Sequence, residues 1–182
     1  MLVPTRAEAD ELALDWPALE ICGFGLAAAG VHAAAAIARH RPHRVVLAGL
    51  AGTYDEEAAP LATAVRAGVV RCVGIGAAGR SAAELGFAES DDVTIGAGPL
   101  ALSVASASAS QAEALERAVA HPGALIEEME GYAVALAATM AGVPCVMVRG
   151  ISNPAGRRDT TGWQVAGALA AVRDTLGTIL RP

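Results

Sequence analysis

The stretch EGYAVALAATMAGVPCVMV, residues 130–148, decides the fold class. Residues 130–141 predict a helix, and Gly142 and Pro144 stand where a helix commonly ends, because glycine closes the last turn and proline cannot continue it. Residues 144–148 form a short apolar run with the length of a buried strand. A helix joined to a buried strand by so short a connection is typical of an α/β domain.

The first third of the chain shows the same order of elements. Residues 19–24 predict a strand that ends at Gly23 and Gly25, residues 27–40 predict a helix, and residues 45–48 predict a second buried strand. The small residues at 49–52 predict a turn. Such a βαβ unit places ligands beyond the carboxyl ends of its strands. We therefore predict one α/β domain over residues 1–182.

The remaining elements give weaker signals. Leu2 to Pro4 predict the stub of a strand, and Thr5 predicts a helix N-cap with Glu8 three residues on, as in a capping box. We also predict strands at 68–75 and 102–107, a mostly irregular segment at 76–102, an exposed helix at 111–120, a loop at 149–158 and a final helix at 161–180.

Composition limits the classes of function. The chain has 182 residues, 54% hydrophobic and 18% charged, with a formal net charge of −6, which argues against a nucleic-acid partner. Cys22, Cys72 and Cys145 lack the spacing of a zinc site, so we expect buried, reduced thiols and no metal. Neither a signal peptide nor a membrane span is evident, so we expect a cytoplasmic protein.

Four short motifs follow one another along the chain. They are the Gly-Phe-Gly step at 23–25, the Gly-Leu-Ala-Gly step at 49–52, the Glu-Met-Glu-Gly step at 128–131 and the Ser-Asn step at 152–153. In this order and spacing the chain resembles the superfamily of purine nucleoside phosphorylases and nucleosidases. The resemblance covers most of the chain. It implies a three-layer αβα fold with a central mixed sheet, a purine nucleoside ligand, no cofactor, and a homodimer or larger homo-oligomer.

One branch of that superfamily is matched more closely. Ile151, Ser152 and Asn153 are followed by Gly156, an Arg-Asp pair at 158–159 and Trp163, a pattern similar to that of futalosine hydrolases. The resemblance implies hydrolysis of futalosine with release of hypoxanthine, a step of menaquinone biosynthesis. No chemical step follows from the sequence for Arg158, Asp159 or Trp163, and the first two could form a simple ion pair in a loop.

Asn153 is the candidate for contact with the purine base. An amide can accept a hydrogen bond from protonated N7 and donate one to O6, which favours a 6-oxopurine over a 6-aminopurine. Alternatively, Asn153 and Pro154 simply form a turn. Ser152 either orients the amide or starts that turn.

Glu130 is the candidate that binds the ribose. The two oxygens of one carboxylate can bridge the 2′ and 3′ hydroxyls, and its charge favours a ribosyl cation. Met129 would pack against the sugar, and Glu128 is a secondary candidate. One alternative is that Glu130 is simply an acidic residue in the first turn of a helix, where the helix dipole favours negative charge. A second alternative is that Glu127 and Glu128 belong to a plain acidic run.

The resemblance implies that Glu8 is the general base for the attacking water, because it matches the third residue of the family's acidic amino-terminal cluster, here Arg6, Ala7 and Glu8. Its alternative role is the capping box. Ala51 and Gly52 would let the backbone approach the nucleoside, or would form only a tight turn. The resemblance places Gly25 at the phosphate site of phosphorylases. No convergent cationic clamp is evident, so hydrolysis is favoured over phosphorolysis.

Three other functions stay open. A methylthioadenosine or S-adenosylhomocysteine nucleosidase is disfavoured by Asn153, since aspartate suits a 6-aminopurine better. A phosphorylase and a non-catalytic nucleoside-binding module are the others. The carboxylate of futalosine calls for a cation, and Arg66, Arg80 and Arg157 are the candidates.

Overall fold

The computed structural model describes residues 1–13, 16 and 18–179. Its helices are α1 (Arg6–Leu12), α2 (Gly25–His40), α3 (Gln111–Ala120), α4 (Gly131–Met140) and α5 (Val165–Ile179), with a 3₁₀ turn at Thr160–Gly162. Its strands are β1 (Leu2–Val3), β2 (Glu20–Ile21), β3 (Val45–Thr53), β4 (Ala64–Ala67), β5 (Val69–Val73), β6 (Gly76–Ala77), β7 (Arg80–Ser81), β8 (Asp92–Thr94), β9 (Leu100–Val104), β10 (Ala124–Glu128) and β11 (Cys145–Pro154).

Strand β3 is the centre of a nine-stranded sheet. It runs parallel to β1 and β11, and antiparallel to β10 at its last residues. Strands β10, β9 and β5 continue the sheet in parallel, whereas β8 and β4 pair antiparallel at its margins. The sheet is therefore mixed, and β6 with β7 forms a separate hairpin.

Both faces of the sheet are covered by helices. Along β3, Val45 and Leu47 point to one face, where they join a core with α2 and α4. Val46 and Ala48 point to the other face and pack with α1 and α5. Since successive side chains of a strand alternate between faces, one apolar run serves two cores. The predicted three-layer αβα architecture with a mixed sheet is confirmed.

Two predicted irregular segments are in fact strand. β3 continues through residues 49–52, where we predicted a turn, and β11 continues to Pro154, where we predicted a loop. The glycine at 49 is required by packing: a Cβ there would overlap Nη1 of Arg149 and lie 2.9 Å from Oε1 of Glu8. Small residues in this stretch therefore make room for side chains from elsewhere in the chain.

The helix predictions fare better. Thr5 is the N-cap of α1, α3 has the predicted bounds, and α4 matches its prediction within one residue at each end. The last helix begins later than predicted, after the 3₁₀ turn, and Leu180 lies outside the described residues. The segment 76–102 contains β6, β7 and β8, and β9 ends before residue 107. No helix among the described residues is long and apolar enough to cross a membrane.

Candidate active site

A cavity of about 470 Å³ lies at the ends of β3, β10 and β11. The structure brings together there the eight residues that the sequence analysis selected for catalysis and for binding of the base and ribose. They come from α1, β3, β11 and the segment from β10 to α4. These lining residues are Glu8, Ala51, Gly52, Glu128, Met129, Glu130, Ser152 and Asn153.

Asn153 reaches the cavity because β11 contains a bulge. Ile151 pairs with Ala51 and Asn153 pairs with Gly52, so Ser152 is an extra residue on its strand. A bulge re-aims the side chain that follows it, and bulges are common beside active sites. The alternative that Asn153 and Pro154 simply form a turn is wrong, because both residues belong to the strand.

The amide of Asn153 is held on both sides. Oγ of Ser152 donates to Oδ1 of Asn153 at 2.7 Å, and Nδ2 of Asn153 donates to the carbonyl oxygen of Pro154 at 2.8 Å. An amide oxygen accepts two hydrogen bonds and an amide nitrogen donates two, so one further acceptor and one further donor are left for a ligand. Ser152 thus orients the amide.

Glu8 is tied to the central strand. Thr5 Oγ1 accepts from the Glu8 backbone nitrogen at 3.2 Å and donates to Glu8 Oε2 at 2.6 Å. Glu8 Oε1 accepts from the backbone nitrogen of Leu50 at 3.0 Å. The cap at Thr5 and a position in the cavity are therefore compatible, because the carboxylate bonds to β3 and to the cap hydroxyl.

Glu130 connects two distant parts of the chain. Its Oε1 accepts from the backbone nitrogen of Gly25 at 2.9 Å, and its Oε2 pairs with Nη2 of Arg149 at 3.0 Å. Glu130 is the N-cap residue of α4, but its side chain forms no cap hydrogen bond. Burial raises the pKa of Glu130 despite the opposing effect of Arg149. The carboxylate is directed away from its own helix and into the site.

Glu128 has a different set of partners. Its Oε2 accepts from the backbone nitrogens of Glu130 at 2.9 Å and Gly131 at 2.7 Å, and it also pairs with Arg149. Its Oε1 accepts from Oγ of Ser103. Both oxygens are thus engaged by the protein, and Glu128 caps α4 and positions Arg149.

Arg149 is the site residue that the sequence analysis missed. Its side chain is fully buried between Glu128 and Glu130, and its Nε and Nη1 have no hydrogen-bond partner among the described residues. Burial alone would lower the pKa of Arg149, but the nearby carboxylates, including that of Glu8, raise it and keep the group charged. A lone arginine within the apolar run 145–151 was the available signal, since a buried cation needs carboxylate partners.

A second buried network supports the edge of the cavity. Glu127 accepts from the hydroxyl of Tyr54 at 2.9 Å, and from the backbone nitrogen and Oγ of Ser108 at 2.9 and 2.6 Å. Nη1 of Arg117 pairs with the same carboxylate at 2.5 Å. Burial, reinforced by Glu127, raises the pKa of Tyr54. Glu127 is therefore no part of a solvated acidic run, and nothing in the sequence pattern indicated these partners.

Arg158 and Trp163 lie at the mouth of the cavity. The guanidinium carbon of Arg158 is 5.2 Å from the ring centre of Trp163, and Nη1 of Arg158 donates to the carbonyl oxygen of Ser108 at 3.3 Å. One interpretation of the sequence was an ion pair between Arg158 and Asp159, and the structure does not contain this pair. Oδ1 of Asp159 accepts from the backbone nitrogen and Oγ1 of Thr161 at 3.0 and 2.8 Å, and these bonds lower its pKa.

Comparison with known proteins identifies the family of the chain. Residues 76–181, more than half of the chain, match the family described as "Phosphorylase superfamily". The chain belongs to this superfamily. Within the matched residues lie Glu128, Glu130, Arg149 and Asn153, whereas Glu8 precedes them.

Two curated relatives of this superfamily member are futalosine hydrolases. The protein from Streptomyces coelicolor is 51% identical over 59 residues, which cover 32% of this chain and 25% of that protein. The protein from Acidothermus cellulolyticus is 55% identical over 49 residues, which cover 27% of this chain and 20% of that protein. The chain thus matches a quarter or less of the length of either relative.

A solved structure described as native futalosine hydrolase of Helicobacter pylori is similar over nearly the whole fold. It superposes with a TM-score of 0.81 and covers 98% of this chain and 95% of that chain. The sequence identity is 14%, so this likeness shows the fold alone. The superfamily fold therefore extends to the amino-terminal elements, where α1 holds Glu8.

Proposed function

We propose that this chain hydrolyses the N-glycosidic bond of a 6-oxopurine nucleoside, with futalosine as the substrate and hypoxanthine as the base released. The observation that carries the proposal is the convergence of Glu8, Glu130 and Asn153 on one cavity of about 470 Å³. That volume lies within the usual range of small-molecule sites. The local identity to two futalosine hydrolases supports the choice of substrate.

Asn153 binds the leaving base in this proposal. Solvent supplies the proton of N7, N7–H then donates to Oδ1 of Asn153, and the free amide hydrogen of Asn153 is donated to O6. The bond to O6 gains strength as negative charge develops on the departing base, which is the requirement for transition-state stabilisation. Ser152 and the Pro154 carbonyl fix the amide beforehand, so little reorganisation accompanies the reaction.

Glu130 binds the ribose. Each of its oxygens has one protein partner, Gly25 or Arg149, and retains acceptor capacity for the 2′ or 3′ hydroxyl. The carboxylate also lies near the ribosyl carbon as that carbon becomes cationic. Met129, which lines the same cavity, supplies an apolar surface for the sugar.

Glu8 provides for the water. Its carboxylate lines the cavity, and the backbone nitrogen of Leu50 and the hydroxyl of Thr5 hold its two oxygens. Glu8 accepts a hydrogen bond from the attacking water and then takes the proton of that water. The product is the free ribosyl compound with a hydroxyl at C1′.

Hydrolysis is favoured over phosphorolysis by the amino-terminal end of α2. The backbone nitrogen of Gly25, which the family resemblance places at the phosphate site, donates to the carboxylate of Glu130 at 2.9 Å. A phosphate would have to displace this carboxylate or lie beside it. With Glu8 and Glu128 also in the lining, the electrostatic environment disfavours a second anion.

We also propose that the chain assembles as a homodimer or larger homo-oligomer in the cytoplasm. An apolar groove between α2 and α4, lined by Ile37, Leu136 and Met140, supports the assembly, and Met140 is 81% exposed. The three free cysteines support the location. Light scattering on the purified protein would give the mass of one chain if the oligomer proposal is wrong.

A base-release assay tests the activity. The protein is incubated with futalosine, inosine and methylthioadenosine, each with and without phosphate, and the free base is measured. We expect hypoxanthine from futalosine at the same rate in both buffers. Adenine from methylthioadenosine alone would assign the competing nucleosidase, a requirement for phosphate would assign a phosphorylase, and no base from any nucleoside would leave only a binding module. Glu130→Gln protein, purified in parallel, controls for contaminating nucleosidases.

A further inference from the structure

The charges that line the candidate active site are strongly asymmetric. Among the described residues of the lining, five carboxylates face a single cationic side chain, Arg158. Arg149 lies beneath the cavity and is already paired with two of those carboxylates. The carboxylates are Glu8, Glu11, Glu127, Glu128 and Glu130. An anionic group on a bound ligand therefore has one place in this lining where it is not repelled.

Arg158 is held with much of its donor capacity free. Its guanidinium stacks at 5.2 Å on the ring of Trp163, and one nitrogen donates to the carbonyl oxygen of Ser108. A guanidinium has five N–H donors in a planar fork, so two can still meet a carboxylate. Trp163 is itself fixed, because its Nε1 donates to the carbonyl oxygen of Arg157 at 3.1 Å.

The loop that carries this pair is anchored at both ends to the strands of the site. The backbone nitrogen of Ala155 donates to Thr53 at 2.7 Å, and that of Gln164 donates to Ser152 at 2.7 Å. Gly156 has a φ of +77°, and a Cβ there would overlap the carbonyl of Ser110. The position of Arg158 and Trp163 is therefore fixed relative to Asn153.

An apolar wall connects the sugar position with this pair. Leu50, Val165 and Leu169 line the same cavity as Glu8 and Trp163. A substituent on the ribose therefore shares the cavity with apolar surface, an indole ring and a cation. Flat apolar groups stack well on such a ring, and an acid pairs with the guanidinium beyond it.

We propose that Arg158 and Trp163 form a subsite for an aromatic carboxylic acid attached to the 5′ end of the nucleoside. The inference rests on the proposed function and specifies which residues distinguish its substrate from a plain nucleoside. It replaces the cations considered from the sequence, because Arg66, Arg80 and Arg157 are absent from the described lining of the cavity. It also gives a role to Arg158 and Trp163, for which the sequence indicated no chemical step.

The test compares two substrates that differ in one charge. Base release is measured from the nucleoside that carries the aromatic carboxylate and from its methyl ester, with wild type, Arg158→Met, Arg158→Lys and Arg157→Met. We expect Arg158→Met to lower kcat/KM for the acid about tenfold, through KM, and to leave the ester unchanged. Arg158→Lys retains part of the preference. Arg157→Met is the matched control, because residue 157 is adjacent in sequence and lies outside the lining of the cavity. We expect it to change kcat/KM for neither substrate.

Two results would overturn the subsite. The first is an equal loss for acid and ester, which would mean that Arg158 only supports the loop, and the second is no loss for either. If wild type cleaves neither nucleoside but cleaves inosine, the subsite fails while the hydrolase proposal for a 6-oxopurine nucleoside stands.

If no nucleoside is cleaved at all, the hydrolase proposal fails. The dissociation constants of the acid and of the ester are then measured by calorimetry for wild type and for each variant. Weaker binding of the acid to Arg158→Met, with unchanged binding of the ester, still supports the subsite. Equal constants, or no binding to wild type, overturn it.

Discussion

The two ends of the cavity are built on opposite principles. At the inner end Arg149 is completely buried with the carboxylates of Glu128 and Glu130, so each charge depends on the others for its solvation. At the mouth Arg158 is exposed and rests on Trp163. Removing one member of a buried charge cluster is costly, whereas an exposed cation contributes little to folding. Substitutions at the inner end should therefore lower both stability and activity. Substitutions at the mouth should change only the choice of substrate.

The largest effect is expected from Arg149→Met. This change leaves Glu128 and Glu130 buried without their cation, and it should lower the free energy of unfolding by about 3–5 kcal/mol. Urea denaturation monitored by circular dichroism measures this loss in the free energy of unfolding. Arg66→Met is the matched control, since Arg66 is exposed on β4 beside the same strand. Equal stabilities of the two variants would contradict the contrast between the ends of the cavity.

Asn153→Asp tests the base contact. A carboxylate cannot donate to O6, so we expect kcat/KM for the 6-oxopurine nucleoside to fall about 100-fold, and the ratio of 6-aminopurine to 6-oxopurine turnover to rise. Ser152→Ala removes only the hydroxyl that orients the amide, and its effect should be smaller. An unchanged rate for Asn153→Asp would remove this residue from the mechanism.

Gly49→Ala tests whether the crossing of Arg149 over β3 needs an open position. The added methyl overlaps the guanidinium, so we expect a loss of about 1–3 kcal/mol in stability, together with reduced activity. Gly177→Ala in α5, where an added Cβ meets no atom of the described residues within 4 Å, should instead raise stability by up to about 1 kcal/mol. Tolerance of Gly49→Ala without either loss would show that the packing of Arg149 against β3 does not require a glycine at this position.

The smallest effect concerns pH. Burial raises the pKa of Glu130 above its ordinary value of 4.5, so the folded chain retains a proton that the unfolded chain has lost. Stability from this group is complete below pH 4.5 and is lost as pH rises through the folded pKa. The stability of wild type relative to Glu130→Gln should therefore decrease with pH across that window. Urea midpoints at several pH values measure this difference, and a difference that grows with pH would contradict the shift.

Ionisation of Glu130 should also change the activity, but in the opposite direction to its effect on stability. Only the ionised carboxylate of Glu130 accepts both ribose hydroxyls, so turnover should rise as pH increases through the raised pKa. Glu57→Gln, a change at an exposed position, should leave the pH profile of turnover unchanged.

Local signals in the sequence were sufficient for most of the helix bounds, and the family resemblance indicated most of the candidate site residues but not Arg149. Caps such as Thr5 act within one turn, and Glu8, Glu130 and Asn153, which match the family, line one cavity. The sequence did not show why residue 49 is a glycine, because the side chain that requires the space is the guanidinium of Arg149, 100 residues further along the chain. The bulge at Ser152 was equally hidden, since register depends on the pairing partner. Long-range contacts therefore account for the errors.

The central claim is that an acid from the first helix activates water for attack on the nucleoside. Its most direct test is hypoxanthine release from futalosine in phosphate-free buffer by wild type, Glu8→Gln and Asp10→Asn, the last an exposed acid on the same helix. We predict release by wild type and Asp10→Asn, and a rate for Glu8→Gln that is about 100-fold to 10,000-fold lower, because an amide cannot take the proton. Release by Glu8→Gln at the wild-type rate, or release by wild type only when phosphate is added, would contradict the claim.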